Sequence, residues 1–208
     1  MKTIKNNAEL VEHLVKSGSA FSKEVIGAFS AVDRGNFVPN ELMDYAYEDR
    51  PLAIGENQTI SQPSTVSVML ELLEVKKGDE VLDIGAGSGY SSALLSTITG
   101  AEGRVDALER IPALVEIGNR NLLRAQIKDV VIKQASETLG IKDREFDRIL
   151  VSAAATEIPH ELKEQLKVGG KMVIPVENSI YTIVRISKNR YIEDKLEGFV
   201  FVPLVYSQ

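Results

Sequence analysis

Residues 81–109 carry a pattern able to hold a nucleoside. The apolar run Val81-Leu82-Asp83-Ile84 contains a single acid and leads into Gly85-Ala86-Gly87-Ser88-Gly89. Glycines after a buried strand permit positive φ and let a ligand approach the backbone closely. In open α/β folds, ligands bind at the carboxyl ends of strands. The next apolar run, "RVDALE", ends on Glu109, 24 residues beyond Gly85. A carboxylate there can accept hydrogen bonds from both ribose hydroxyls of an adenosine. The glycine spacing is G-x-G-x-G, not the G-x-G-x-x-G of dinucleotide binders. Asp83 supplies a carboxylate that suits a cationic ligand end better than a pyrophosphate. Both features point to S-adenosylmethionine, which carries an ammonium and a sulfonium and no phosphate. The glycines alone would serve equally well as a tight strand–helix junction. The acids on either side favour a ligand.

A second candidate stretch is "YEDRPLAIGENQTISQPSTV", residues 47–66. It combines turn residues (Pro51, Gly55, Asn57, Pro63) with the hydroxyls of Thr59, Ser61 and Ser64, and it has almost no periodicity before residue 64. It reads as a loop. Leu52, Ala53 and Ile54 could form an apolar wall beside a bound chain, as could Val202 and Pro203 near the C-terminus. Ser61 could also serve as an N-cap for a helix starting around Pro63.

The elements that must position these groups follow from periodicity. Apolar residues at helical spacing cover 8–16, 22–32 and 64–74, with Ser22 a plausible N-cap. From residue 80 onward, short apolar strands alternate with amphipathic helices. Strands are expected at "EVLDIG", "RVDALE", "DVVIKQ", "FDRILVSAA" and "KMVIPV". Helices are expected at "YSSALLSTIT", "PALVEIGNRNLLRA" and "PHELKEQLKVGG". This alternation predicts an α/β fold, a mostly parallel doubly wound sheet covered on both faces. After Pro175 come "IYTIVRIS" and "KLEGFVFVPLV", expected as an antiparallel strand pair at one sheet edge. One domain is expected over 1–208, with an N-terminal helical and loop part (1–75) and a core (76–208).

Composition narrows the chemistry. The chain has no cysteine, which excludes disulfides, thiolate catalysis and Cys-ligated metals. Its two histidines, His13 and His160, are far apart in sequence, so neither a His-based metal site nor a Ser-His-Asp triad is expected. His160 follows Pro159 at a helix start and reads as structural; His13 lies on an amphipathic helix and reads as exposed. The net charge of −6, with no Lys/Arg run, argues against nucleic acid. No apolar run is long enough to span a bilayer, and the polar N-terminus has no apolar leader core, so a cytoplasmic protein is expected.

With these residues in view, the sequence resembles the protein-L-isoaspartate (D-aspartate) O-methyltransferase family over nearly its whole length. The resemblance rests on "FVP" (37–39), "AYEDRPLAIGENQTISQP" (46–63), "VLDIGAGSGY" (81–90), "LER" (108–110), "FDRILVSAAATEIPHELKEQLKVGGKMVIPV" (146–176) and "FVPL" (201–204). It implies a Rossmann-like S-adenosylmethionine-dependent methyltransferase with a rearranged strand order near the C-terminus. It also implies methylation of the free carboxyl of L-isoaspartyl residues in damaged proteins, leaving S-adenosylhomocysteine; the ester then collapses to a succinimide that can reopen to aspartate. The implied partners are isoaspartyl proteins and peptides; composition argues against nucleic acid and membrane, and a monomer is compatible with the sequence, which does not fix the oligomeric state. The resemblance marks Ser61 as the active-site residue and Thr59, Ile60 and the apolar residues above as the acceptor side. Asp83, Gly85, Ala86, Gly87, Ser88, Gly89, Glu109 and Arg110 form the cofactor side. The family usually has "GDG" after the third core strand, its Asp on the adenine amine; here "KQASETLG" puts Ser136 at that position with Glu137 beside it. Asn57 and Ala86 also depart from the family's usual Gly and Thr.

The chemistry agrees with this reading. A carboxylate acceptor titrates in water at about pH 4, so it is ionised at neutral pH and needs no general base. A site without catalytic His or Cys is then expected, and its work is alignment and partial desolvation. Two other readings fit the residues: a methyltransferase for another acceptor such as a small acid or RNA, and a cofactor-binding module without catalysis.

Overall fold

The computed structural model describes residues 4–206. The N-terminal part begins with α1 (Asn7–Ser17) and α2 (Lys23–Ala31). Asn6 caps α1, and Ser22 caps α2 by accepting from Val25 N, as expected. Two 3-10 turns follow at Arg34–Phe37 and Asn40–Tyr45. Where a loop was expected, the chain forms a small antiparallel hairpin, β1 (Leu52–Gly55) and β2 (Gln58–Ile60). Its tip is Glu56-Asn57, both at positive φ (52° and 57°), the geometry that matches the right-handed twist of paired strands. Then comes α3 (Pro63–Leu73), with Pro63 at its first turn.

The core runs β3 (Glu80–Ile84), α4 (Tyr90–Thr99), β4 (Arg104–Glu109), α5 (Pro112–Arg124), β5 (Ile132–Gln134), β6 (Phe146–Val151), α6 (His160–Glu164), β7 (Leu166–Val176), β8 (Ser179–Ser187) and β9 (Arg190–Glu197). The sheet order is β5-β4-β3-β6-β7-β8-β9, parallel from β5 to β7 and antiparallel through β8 and β9. Successive strand side chains face opposite ways, so Val81 joins the apolar cluster under the helices α1 to α5, while Leu82 and Ile84 join the cluster on the other face. That second face is covered by the short α6 and by loop residues such as Leu139, Ile141 and Leu204. The helix expected at 159–170 stops at Glu164, because Leu166 pairs with Phe146 and the chain continues as β7. The last strand lies at 190–197, earlier than expected. The "FVFVPL" segment leaves this edge and crosses to the end of β6, where Pro203 forms a parallel bridge with Ala154. Among the described residues, no helix is long and apolar enough to cross a membrane.

Candidate active site

The strand order reverses between β3 and β6, and a cavity of about 750 Å³ opens there at the strands' carboxyl ends. Ile84, Glu109, Ala135 and Ser152 mark the ends of four neighbouring strands on its floor. The hairpin forms one wall and Val202–Tyr206 another. The latter segment is stitched to the end of β6, where Ala154 N donates to Val202 O (2.8 Å) and Leu204 N to Ala154 O (2.7 Å).

The glycine turn forms as its sequence requires. Gly87 N donates to Glu109 Oε2 (3.0 Å), and a Cβ on Gly87 would lie 3.3 Å from Ile54 Cδ1. Gly89 sits at φ 88°, where a Cβ would meet Gly118 O at 3.1 Å, so the turn lies tight against α5. Glu109 is buried, and its other oxygen accepts from Ile111 N (2.9 Å). Each carboxylate oxygen thus accepts one backbone N–H and keeps a free lone pair, as a pair of ribose hydroxyls requires.

Asp83 lies beneath the cavity and does not line it. Its Oδ2 accepts from Ser91 Oγ (2.8 Å) and Ser92 Oγ (2.6 Å), whereas Oδ1 is buried with no partner. Burial pushes its carboxyl up to about 6, against the two serine hydrogen bonds. Of the other cofactor-side residues, Gly85, Ala86, Gly87, Ser88, Glu109, Arg110, Ser136 and Glu137 border the cavity, and Gly89 stands behind it. Ser136 and Glu137 are both exposed, and Ser136 Oγ lies 2.9 Å from Thr138 Oγ1.

On the acceptor side, Ile54, Thr59, Ile60, Ser61, Val202 and Pro203 all line the cavity. Leu52 and Ala53 do not. Leu52 is buried in the core, and the alternation of β1 turns Ala53 outward into a separate cleft beside α5. Ser61 Oγ makes no hydrogen bond among the described residues, so its hydroxyl is available to a ligand. Ser61 does not cap α3. The N-cap is Gln62, and the donor Ser64 N is satisfied by Asp49 Oδ1 at 2.9 Å. Asp49 Oδ2 also lies 3.2 Å from His13 Nε2, so His13 is tied to this segment and not merely solvated. His160 is exposed and lies 3.7 Å from Glu164 Oε2, one turn along α6.

Sequence reasoning missed Tyr90, Ser91 and Ser152. Ser152 follows β6 directly and bonds through its N–H to Ile84 O (2.9 Å), a strand-end position equivalent to Gly85 and Glu109 that could have found it. Tyr90 is packed against Phe29 and Phe37, and burial raises its hydroxyl pKa.

Residues 5–208 match the family described as protein-L-isoaspartate(D-aspartate) O-methyltransferase (PCMT). The chain belongs to this family. A protein-L-isoaspartate O-methyltransferase from Methanothrix thermoacetophila is 44% identical over 197 residues, covering 93% of this chain and 94% of the relative. Another from Ignicoccus hospitalis is 41% identical over 203 residues, covering 95% and 96%. Among solved structures, a protein-L-isoaspartate O-methyltransferase from Plasmodium falciparum in complex with S-adenosyl-L-homocysteine superposes with a TM-score of 0.87 at 28% identity. It covers 97% of this chain and 99% of that one. The fold class of this chain is thus that of a Rossmann-like methyltransferase, with its hairpin and C-terminal segment built around the cavity.

Proposed function

We propose that the chain transfers the methyl group of S-adenosylmethionine to the free carboxylate of L-isoaspartyl residues in proteins and peptides, with Ser61 orienting the acceptor. The observation that carries the assignment of roles is the convergence of a free Ser61 hydroxyl and the Glu109 carboxylate on one cavity. Its volume lies in the range of small-molecule sites. The residues fit the cofactor. Glu109 retains acceptors for ribose hydroxyls, and Ser136 and Glu137 offer acceptors at the rim for an adenine amine. The buried, unpartnered Asp83 Oδ1 puts negative potential beneath the cavity, favouring a cationic ligand. The first turn of α4 has no side-chain cap, which leaves backbone N–H donors for an anionic end.

When bound, S-adenosylmethionine supplies a methyl group activated by a sulfonium. The protein's residues do the rest. Ser61 donates its hydroxyl hydrogen to one carboxylate oxygen and leaves the other free to attack. Thr59 offers a second hydroxyl. Ile54, Ile60 and Val202 exclude water from the acceptor and raise its reactivity. One O–C bond forms as one S–C bond breaks, the electron pair stays on sulfur, and no proton moves. The two parts, 1–75 and 76–208, act as one catalytic unit because the hairpin wall comes from the first and the cofactor floor and the Val202–Tyr206 wall from the second.

Ser61→Ala is expected to lower kcat on an isoaspartyl peptide by about 100-fold, comparable to losing one preorganised donor, with little change in S-adenosylhomocysteine affinity by calorimetry. Unchanged kcat, or equal losses in both quantities, would remove Ser61 from the chemistry.

A further inference from the structure

Arg34 is fully buried, yet it makes no ion pair among the described residues. Its guanidinium donates instead to three backbone carbonyls: Ala46 O (2.6 Å), Ser61 O (3.0 Å) and Arg50 O (3.4 Å). These carbonyls lie at both ends of the segment that walls the acceptor side. We propose that Arg34 is a positioning residue of methyl transfer, its guanidinium clamping the 46–61 segment so that the Ser61 hydroxyl meets the acceptor carboxylate. The proposal rests on the reading that Ser61 orients the acceptor.

Burying a cation is costly, and an apolar side chain of the same volume would fill the space at less expense. The arginine adds a rigid fork that reaches chain segments 46, 50 and 61 at once, which a lysine's single ammonium cannot reproduce. Arg34's neighbours serve the same end. Asp33 Oδ1 accepts from the Tyr47 hydroxyl (2.9 Å), and a Cβ on Gly35 would lie 2.9 Å from the oxygen of that hydroxyl. Residues 33–35 therefore form a template on which 46–50 docks. At the far end, Ser61 is held by its carbonyl while its hydroxyl remains free. Both groups hang from one Cα, so movement of the carbonyl displaces the hydroxyl. A shift of about 1 Å at a reacting group can cost about 100-fold in rate.

The test is a double-mutant cycle with Arg34→Lys and Ser61→Ala. Arg34→Gln serves as a second variant if the lysine protein does not fold. Each protein is assayed for kcat and KM on an isoaspartyl peptide, S-adenosylhomocysteine affinity, and amide hydrogen exchange. Arg34→Lys is expected to lower kcat about 10- to 100-fold, to speed exchange within 46–61 but not within 80–109, and to leave S-adenosylhomocysteine affinity within about twofold. In the Ser61→Ala background the same change should lower kcat by less than about threefold, because the hydroxyl through which it acts is gone. A wild-type kcat in Arg34→Lys, equal losses in both backgrounds, or a matching loss of S-adenosylhomocysteine affinity would overturn the clamp. If Ser61→Ala alone keeps full turnover, the Ser61 reading fails, whatever Arg34→Lys does.

Discussion

Asp83 is the residue whose environment departs furthest from its sequence expectation. Its carboxyl is buried with one oxygen unpartnered and is raised from 3.8 to about 6, chiefly by desolvation. A raised acid binds its proton more tightly in the folded state. Its ionisation therefore removes stability as pH rises from about 4 to about 6, and the loss is complete near pH 7, amounting to about 3 kcal/mol for a shift of roughly two units. Asp83→Asn cannot ionise. The stability of the wild type relative to Asp83→Asn, measured by denaturant unfolding without ligand, should fall by about this amount between pH 4 and pH 7 and then level off. A difference independent of pH would mean that the Asp83 carboxyl titrates in the folded protein as it does in the unfolded chain. The sequence showed that an acid stands before the glycines, but not that Ser91 and Ser92 satisfy one oxygen only. Those serines lie in the first turn of α4, and their contact with β3 depends on how the helix packs.

At the scale of elements, β3, β4, β6 and β8 and the helices α4 and α5 were legible because their apolar residues repeat at strand or helix period over enough residues, whereas β9 was placed too late in the chain. The hairpin was not legible. Its strands are four and three residues long, and its turn places Glu56, a residue that rarely adopts positive φ, in the left-handed region. The end of α6 was misread because Leu162 and Leu166 have helical spacing, though Leu166 already belongs to β7. Gly118 shows how one element shapes another. It is an ordinary helical position in α5, but a Cβ there would lie 2.7 Å from Gly87 O and 2.5 Å from Ile132 Cδ1. The helix can approach the glycine turn only without that atom. Gly118→Ala should push the turn away from Glu109 and weaken S-adenosylhomocysteine binding about 5- to 150-fold, as overpacking costs about 1–3 kcal/mol. Ser61 lies across the cavity on another element, so the peptide KM should change far less. Unaltered affinity in calorimetry would show that the turn does not depend on this contact.

For the whole molecule, the site is an assembly of distant segments. Ser61 comes from the end of the hairpin, Glu109 from the end of β4, Ser152 from the end of β6 and Val202 from the last stretch of chain. The sequence indicated that strand ends would converge, because α/β alternation dictates it. It did not reveal the segment beyond β9 folding back onto Ala154, because those two bonds join residues about fifty apart. The resemblance of that segment to the family, more than its periodicity, marked it for the acceptor wall.

The central claim is that this assembly distinguishes an isoaspartyl carboxylate from a normal aspartyl one. The most direct measurement incubates the protein with methyl-labelled S-adenosylmethionine and two peptides that differ only in that linkage. The account predicts label on the isoaspartyl peptide, released as methanol when the ester closes to the succinimide, and none above background on its aspartyl twin. Equal labelling of both peptides, or labelling of neither by a protein that binds the cofactor, would contradict it.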